Sequence, residues 1–229
     1  MVETEQRGKP MDFSIMPSYH CNLRCWFCMY NGGPDAKAEL DYEKTKLFLL
    51  QFDWSLVNSF GFYGGEPSID TPLYDKFIEL VPHSIPKFVI TNGTWSVDTD
   101  RASRFLKWCI HHSFRVVVSS TPEHIKHQWR SFLENLTREF DGVLLLKTPD
   151  RIHAQGRARG ESGVPSDCEL ACLRKDRNTR LGLKPDGNIV FQNCHGEYHT
   201  VQTYEEPFDG MLGRTKRLVE HCVAGKVAE

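Results

Sequence analysis

From residue 12 to residue 148 short apolar, β-branched or aromatic runs alternate with segments of helical period, and this alternation constrains the fold more than any other feature. The runs fall at residues 12–16, 56–63, 87–91, 115–120 and 142–148. Between them the spacing predicts helices over 41–52, 72–81, 98–112 and 122–139. Thr71-Pro72 and Thr121-Pro122 each put a capping hydroxyl before a proline suited to the first helical position. Leu73, Phe77, Leu80 and Val81 would line one apolar face, and Ile125, Trp129, Phe132 and Leu136 another. Strand and helix in regular turn call for a parallel sheet with helices packed outside it.

After Thr148 the rhythm stops. Residues 151–166 are rich in Gly, Arg and Ser with no apolar period, which reads as an extended crossing segment. Pro185-Asp186-Gly187, flanked by 180–183 and 188–192, predicts a β-hairpin, and a last helix is expected over 215–224.

With 229 residues, 40% of them hydrophobic, the chain can bury the core of one domain with a small appendage. It holds no apolar run of the ~18 residues that a membrane helix needs. The opening Met-Val-Glu-Thr-Glu-Gln-Arg is acidic where a signal peptide would be basic, so the expectation is a cytoplasmic protein without membrane contact. A net charge of −2 gives no support for bulk attraction to nucleic acid. Locally, however, residues 147–184 hold nine basic and five acidic side chains, a strip that would suit a phosphorylated substrate and that equally makes an ordinary solvated face.

Eight cysteines narrow the chemistry further: 21, 25 and 28 form a tight triplet, 168, 172, 194 and 222 a looser quartet, and Cys109 is alone on a helix beside Phe105 and Leu106, a small apolar core residue. In a reducing compartment such clustering points to metal rather than disulfides. The triplet directly follows the first strand as Cys21-Asn22-Leu23-Arg24-Cys25-Trp26-Phe27-Cys28. Three thiolates on one short loop can close around an iron–sulfur cluster, leaving one iron open, or around zinc with His20 as a fourth ligand; the residue types alone leave both readings standing.

CxxxCxxC, followed by Tyr63-Gly64-Gly65-Glu66-Pro67 at the end of the second strand, resembles the cluster and GGEP motifs of the radical S-adenosylmethionine (radical SAM) superfamily. Thr91-Asn92-Gly93 and Ser119-Ser120, after the third and fourth strands, are similar in position to that family's cofactor contacts. The resemblance covers roughly residues 12–160. It implies a partial (βα)5-6 TIM-like barrel over residues 1–160 and, over 161–229, a β-hairpin plus helix carrying metal, similar to the twitch or SPASM extension. It also implies a [4Fe-4S] cluster on Cys21, Cys25 and Cys28, and SAM held by Phe27, Gly64, Gly65, Glu66, Pro67, Asn92 and Ser119. Glu66 would accept from the SAM amino group, and Arg157, in Gly156-Arg157-Ala158, would reach its carboxylate. The glycines would let the backbone approach SAM. Cys168, Cys172, Cys194 and Cys222 would hold a second Fe–S cluster or a zinc ion.

The activity so implied is reductive cleavage of SAM to a 5′-deoxyadenosyl radical that abstracts hydrogen from a small metabolite, a nucleotide or base, or a peptide. A reductant such as flavodoxin or ferredoxin would supply the electron. Tyr63, Cys109 and Cys194 are candidates for quenching a product radical. Two other readings are a glycyl-radical-enzyme activase, against which the GRA segment and hairpin count, and a non-catalytic iron–sulfur or zinc module.

Overall fold

The computed structural model describes residues 11–140, 144–147, 157, 179–192, 198–208, 210, 211 and 213–215. Five strands, β1 (Met11–Ile15), β2 (Val57–Phe62), β3 (Lys87–Thr91), β4 (Phe114–Ser119) and β5 (Leu144–Lys147), alternate with α1 (Tyr42–Leu50), α2 (Thr71–Ile78), α3 (Thr99–His111), α4 (Pro122–Ile125) and α5 (Arg130–Glu139). Then follow β6 (Thr179–Leu183), β7 (Asn188–Gln192) and β8 (Tyr198–Thr203). Among the described residues these eight strands form one sheet in the order β5-β4-β3-β2-β1-β6-β7-β8. Pairing is parallel from β5 to β6 and antiparallel across β6, β7 and β8.

The expected hairpin is present, with Gly187 at φ 79° in its turn. Its first strand pairs in parallel with β1, so the hairpin continues the main sheet. Arg180 to Leu183 have no local signal for that edge, which is set by long-range pairing with residues 12–15.

Two readings of the helices are corrected. The cap of α2 is Asp70, whose carboxylate accepts from the Leu73 amide, while Thr71 is already helical. The predicted helix over 122–139 is two, broken after Ile125. The break carries Gln128 inward, where its Nε2 donates to the carbonyls of Asn92 and Ser119, both at 2.7 Å. Consequently Ile125 and Trp129 are exposed, and Leu133 with Leu136 forms the buried face of α5. Thr121 caps α4 as expected, accepting from the His124 amide.

The core is largely aromatic. Phe13 packs against Phe48, Phe52 and Phe60, and Phe62 against Tyr74 and Phe114. Each such buried ring stabilises the fold by about 1.5–3 kcal/mol. Cys109 is buried in this core, as its apolar neighbours imply, and burial pushes its thiol well above the ordinary range. Among the described residues no helix is long and apolar enough to cross a membrane.

Candidate functional site

Because β1 to β4 run parallel, everything that follows them in the chain emerges at one edge of the sheet. After β1 the chain runs extended through residues 17–21 and is clasped by residues 33–40. Leu40 N–H donates to Pro17, Tyr19 N–H to Ala38, Gly33 N–H to Tyr19 and Cys21 N–H to Gly33, at 2.8 to 3.2 Å. These bonds close the base of a loop that carries all three cysteines.

Within the loop the Cys28 amide donates to the Cys25 carbonyl at 3.2 Å, and the Gly32 amide to Cys28 Sγ at 3.3 Å. Burial, reinforced by the neighbouring sulfurs, pushes the Cys21 thiol up to about 12 and the Cys25 thiol up to about 11. Metal-free, both are protonated at neutral pH, and a ligand that binds thiolate must displace those protons.

The GGEP turn is fastened to the same segment. Gly65 N–H donates to the Ser18 carbonyl at 2.8 Å and Glu66 N–H to that of His20 at 2.9 Å. Gly64 lies at φ 125°, a left-handed region closed to side chains, and a Cβ on Gly65 would overlap the His20 carbonyl. The two glycines are therefore required first by the backbone that carries the cysteines.

Glu66 is buried with its carboxylate turned into the protein. One oxygen accepts from Thr91 Oγ1 at 2.6 Å and from the Ser68 amide at 3.1 Å; the other accepts from the Asn92 amide at 2.7 Å. Burial raises its pKa, and the bonds from Asn92, Ser68 and Thr91 work against that rise. The side chain thus joins the ends of β2 and β3. Pro67 is buried and opens the turn that follows.

Asn92 Nδ2 donates to Asn22 Oδ1 at 2.9 Å and approaches Cys21 Sγ at 3.7 Å, while Asn22 Nδ2 donates to Thr94 Oγ1 at 2.8 Å. Ser119 contributes its carbonyl to Gln128, and Ser120 Oγ accepts from Arg130 at 2.7 Å. Phe27 meets His124 edge to face, 5.6 Å between centroids at 84°. Arg157 grips the cysteine loop: its Nε donates to the Cys25 carbonyl and its Nη2 to the Gly32 carbonyl, both at 2.7 Å, and its amide donates to Cys28 at 3.1 Å.

The structure therefore brings Cys21, Cys25, Cys28, Phe27, Gly64, Gly65, Glu66, Pro67, Asn92, Ser119 and Arg157 to one edge. Cys168, Cys172, Cys194 and Cys222 lie outside the described residues, as does the expected helix beyond Thr215 and, apart from Arg157, the segment over 151–166. Three contributors escaped the sequence reading: Asn22, Gln128 and His124. Of these Asn22 lies inside the cysteine motif and His124 three residues after the capping Thr121, whereas Gln128 left no local trace.

Motifs gathered in this order on a parallel sheet define a class, and the comparisons agree. Residues 15–134, just over half of the chain, match the family described as the Radical SAM superfamily. The chain belongs to that superfamily. A GTP 3′,8-cyclase of Chlorobaculum tepidum is 30% identical over 101 residues, a match spanning 43% of this chain and 27% of the cyclase. Among solved structures, BtrN in complex with AdoMet and 2-DOIA has the same fold at TM-score 0.62 and 16% identity, covering 92% of this chain and 85% of BtrN. Streptococcus suis SuiB bound to precursor peptide SuiA matches at TM-score 0.43 and 16% identity, over 89% of this chain and 66% of SuiB.

Proposed function

We propose that the chain is a radical SAM enzyme whose sheet forms a partial barrel, with a [4Fe-4S] cluster on Cys21, Cys25 and Cys28 and SAM at the carboxyl edge. The carrying observation is the hydrogen-bonded union of the cysteine loop, through residues 18–20, with the Gly64-Gly65-Glu66 turn. Three soft sulfur donors on one closed loop fit a thiolate-held cluster.

A cluster held by Cys21, Cys25 and Cys28 would supply the electron for reductive cleavage of SAM, the source of the 5′-deoxyadenosyl radical that would take hydrogen from substrate. The protein's own residues do the positioning. Arg157 and the 17–21 clasp hold the loop, Asn92 orients against Cys21, and Glu66 with Gln128 fixes the ends of β2, β3 and β4 so that their backbone can line the SAM site. Phe27 offers an aromatic edge beside the last cysteine. The 2-DOIA complex of BtrN and the nucleotide named for the cyclase support a small-molecule or nucleotide substrate in preference to a peptide. The quartet Cys168, Cys172, Cys194 and Cys222 supports a second metal site in a carboxyl-terminal extension over 161–229. A cytoplasmic location with flavodoxin or ferredoxin as reductant completes the proposal.

Anaerobic reconstitution followed by iron and sulfide analysis tests it. A [4Fe-4S] EPR signal in the reduced protein that changes on adding SAM is the expected result. Zinc alone, with no sulfide retained, would overturn the reading. Repeating the analysis on a Cys21/Cys25/Cys28 triple-alanine variant assigns the quartet: residual iron with sulfide means an auxiliary cluster, and residual zinc a structural site.

A further inference from the structure

Cys25 is the one buried residue among the three loop cysteines, and the structure sets an imidazole against it: His124 Nε2 lies 3.6 Å from Cys25 Sγ across a sequence separation of 99 residues. The ring is held from two further sides. Phe27 lies edge to face against it, and Thr121 Oγ1 is 2.9 Å from its Nδ1. The same Thr121 oxygen accepts the His124 backbone N–H at 3.3 Å as the cap of α4, which leaves its own proton available to Nδ1. A metal-bound thiolate can only accept, so the nitrogen facing it must be the protonated one. Thr121 donating to Nδ1 and Nε2–H donating to sulfur is the arrangement that satisfies all three groups.

Resting on the radical SAM reading above, we propose that His124 is a positioning residue for the cluster: its Nε2–H donates to the Cys25 thiolate, withdraws charge from that sulfur and raises the cluster's reduction potential. Hydrogen bonds to cluster sulfurs are among the levers by which a protein sets that potential. The Thr121 cap fixes which nitrogen carries the proton, so a helix-capping residue takes part in tuning a metal centre.

The test is a redox titration, followed by EPR, of reconstituted wild-type protein and of His124→Phe, His124→Gln and Thr121→Val at matched iron and sulfide content. His124→Phe keeps a ring against Phe27 but has no donor. Its midpoint should fall by about a tenfold change in the reduction equilibrium, ~59 mV for a one-electron couple. His124→Gln, which retains an N–H, should recover part of the shift. Thr121→Val should move the midpoint in the same direction, because Nδ1 loses its donor. A full cluster at the wild-type potential in His124→Phe would overturn the inference. Should that variant retain no cluster, an unchanged midpoint in Thr121→Val would do the same. Failure of the wild-type protein to take up iron and sulfide would instead strike the proposed function, so the two failures are told apart.

Discussion

The carbonyl oxygen of His20 fills the space in which a side chain on Gly65 would begin, while the next amide, that of Glu66, donates to the same oxygen at 2.9 Å. Gly65→Ala must therefore push residues 18–20 away and, with them, the base of the cysteine loop. A loss of about 1–3 kcal/mol, as for other overpacked sites, is expected in urea unfolding, together with poor iron uptake. Gly33→Ala is the control, since its Cβ would meet Arg24 at an ordinary 3.8 Å. Equal loss in both variants would remove the special role assigned to the Gly65 contact.

Glu66 carries a pH signature. Its folded pKa is raised by burial, so its contribution to stability is complete below the unfolded value and is lost as the pH rises through the folded value. Glu66→Gln is neutral throughout and faces the Asn92 amide with a donor or gives up its bond to Thr91. The variant should be less stable than wild type, and its deficit should be larger at acid pH near the ordinary glutamate value than at neutrality. Unfolding curves of both proteins across this range check the sign; a deficit that grows toward neutral pH contradicts it.

Gln128 ties two strand ends through one amide. Gln128→Leu leaves the buried carbonyls of Asn92 and Ser119 without that donor, at a cost of about 1–3 kcal/mol for each group left unpaired. Amide exchange of Gly93 and Ser120 should accelerate in the variant. Unchanged protection there would mean that Gln128 does not hold these ends together.

Arg157 reaches two loop carbonyls from one planar group, which lysine cannot do with a single ammonium. Arg157→Lys should fold normally yet release iron to a chelator several-fold faster than wild type. Equal rates would free the guanidinium for another task, such as the SAM carboxylate that the sequence reading gave it.

Much of this was legible before the structure. The strands of β-branched and aromatic residues are displaced by at most a few residues from their predicted bounds, because a short apolar run between helical segments is a local property of the chain. Cys21, Cys25 and Cys28 lie on one short loop, so their shared place at the end of the first strand needs no tertiary information. What escaped detection depends on contacts between distant residues. Helical period cannot reveal that Gln128 turns inward to Asn92, 36 residues earlier, or that the chain breaks a helix to let it. The motif of Glu66 was plain, but its partners within the fold were not: that its carboxylate accepts from Thr91 Oγ1 and the Asn92 amide depends on a neighbouring strand end 25 and 26 residues later. Asp70 replaced Thr71 as the cap of α2 because two capping residues stood side by side and backbone geometry chose between them.

The central claim is that the loop cysteines support radical chemistry on SAM. Its most direct test is the amount of 5′-deoxyadenosine formed by anaerobically reconstituted protein with SAM and dithionite, compared with Cys25→Ala. The account predicts product from wild type and none from the variant, whose fold should survive because Cys25 lies outside the contiguous aromatic core. Well-loaded, reduced wild-type protein that yields no 5′-deoxyadenosine, with or without small-molecule and nucleotide substrates, would contradict it.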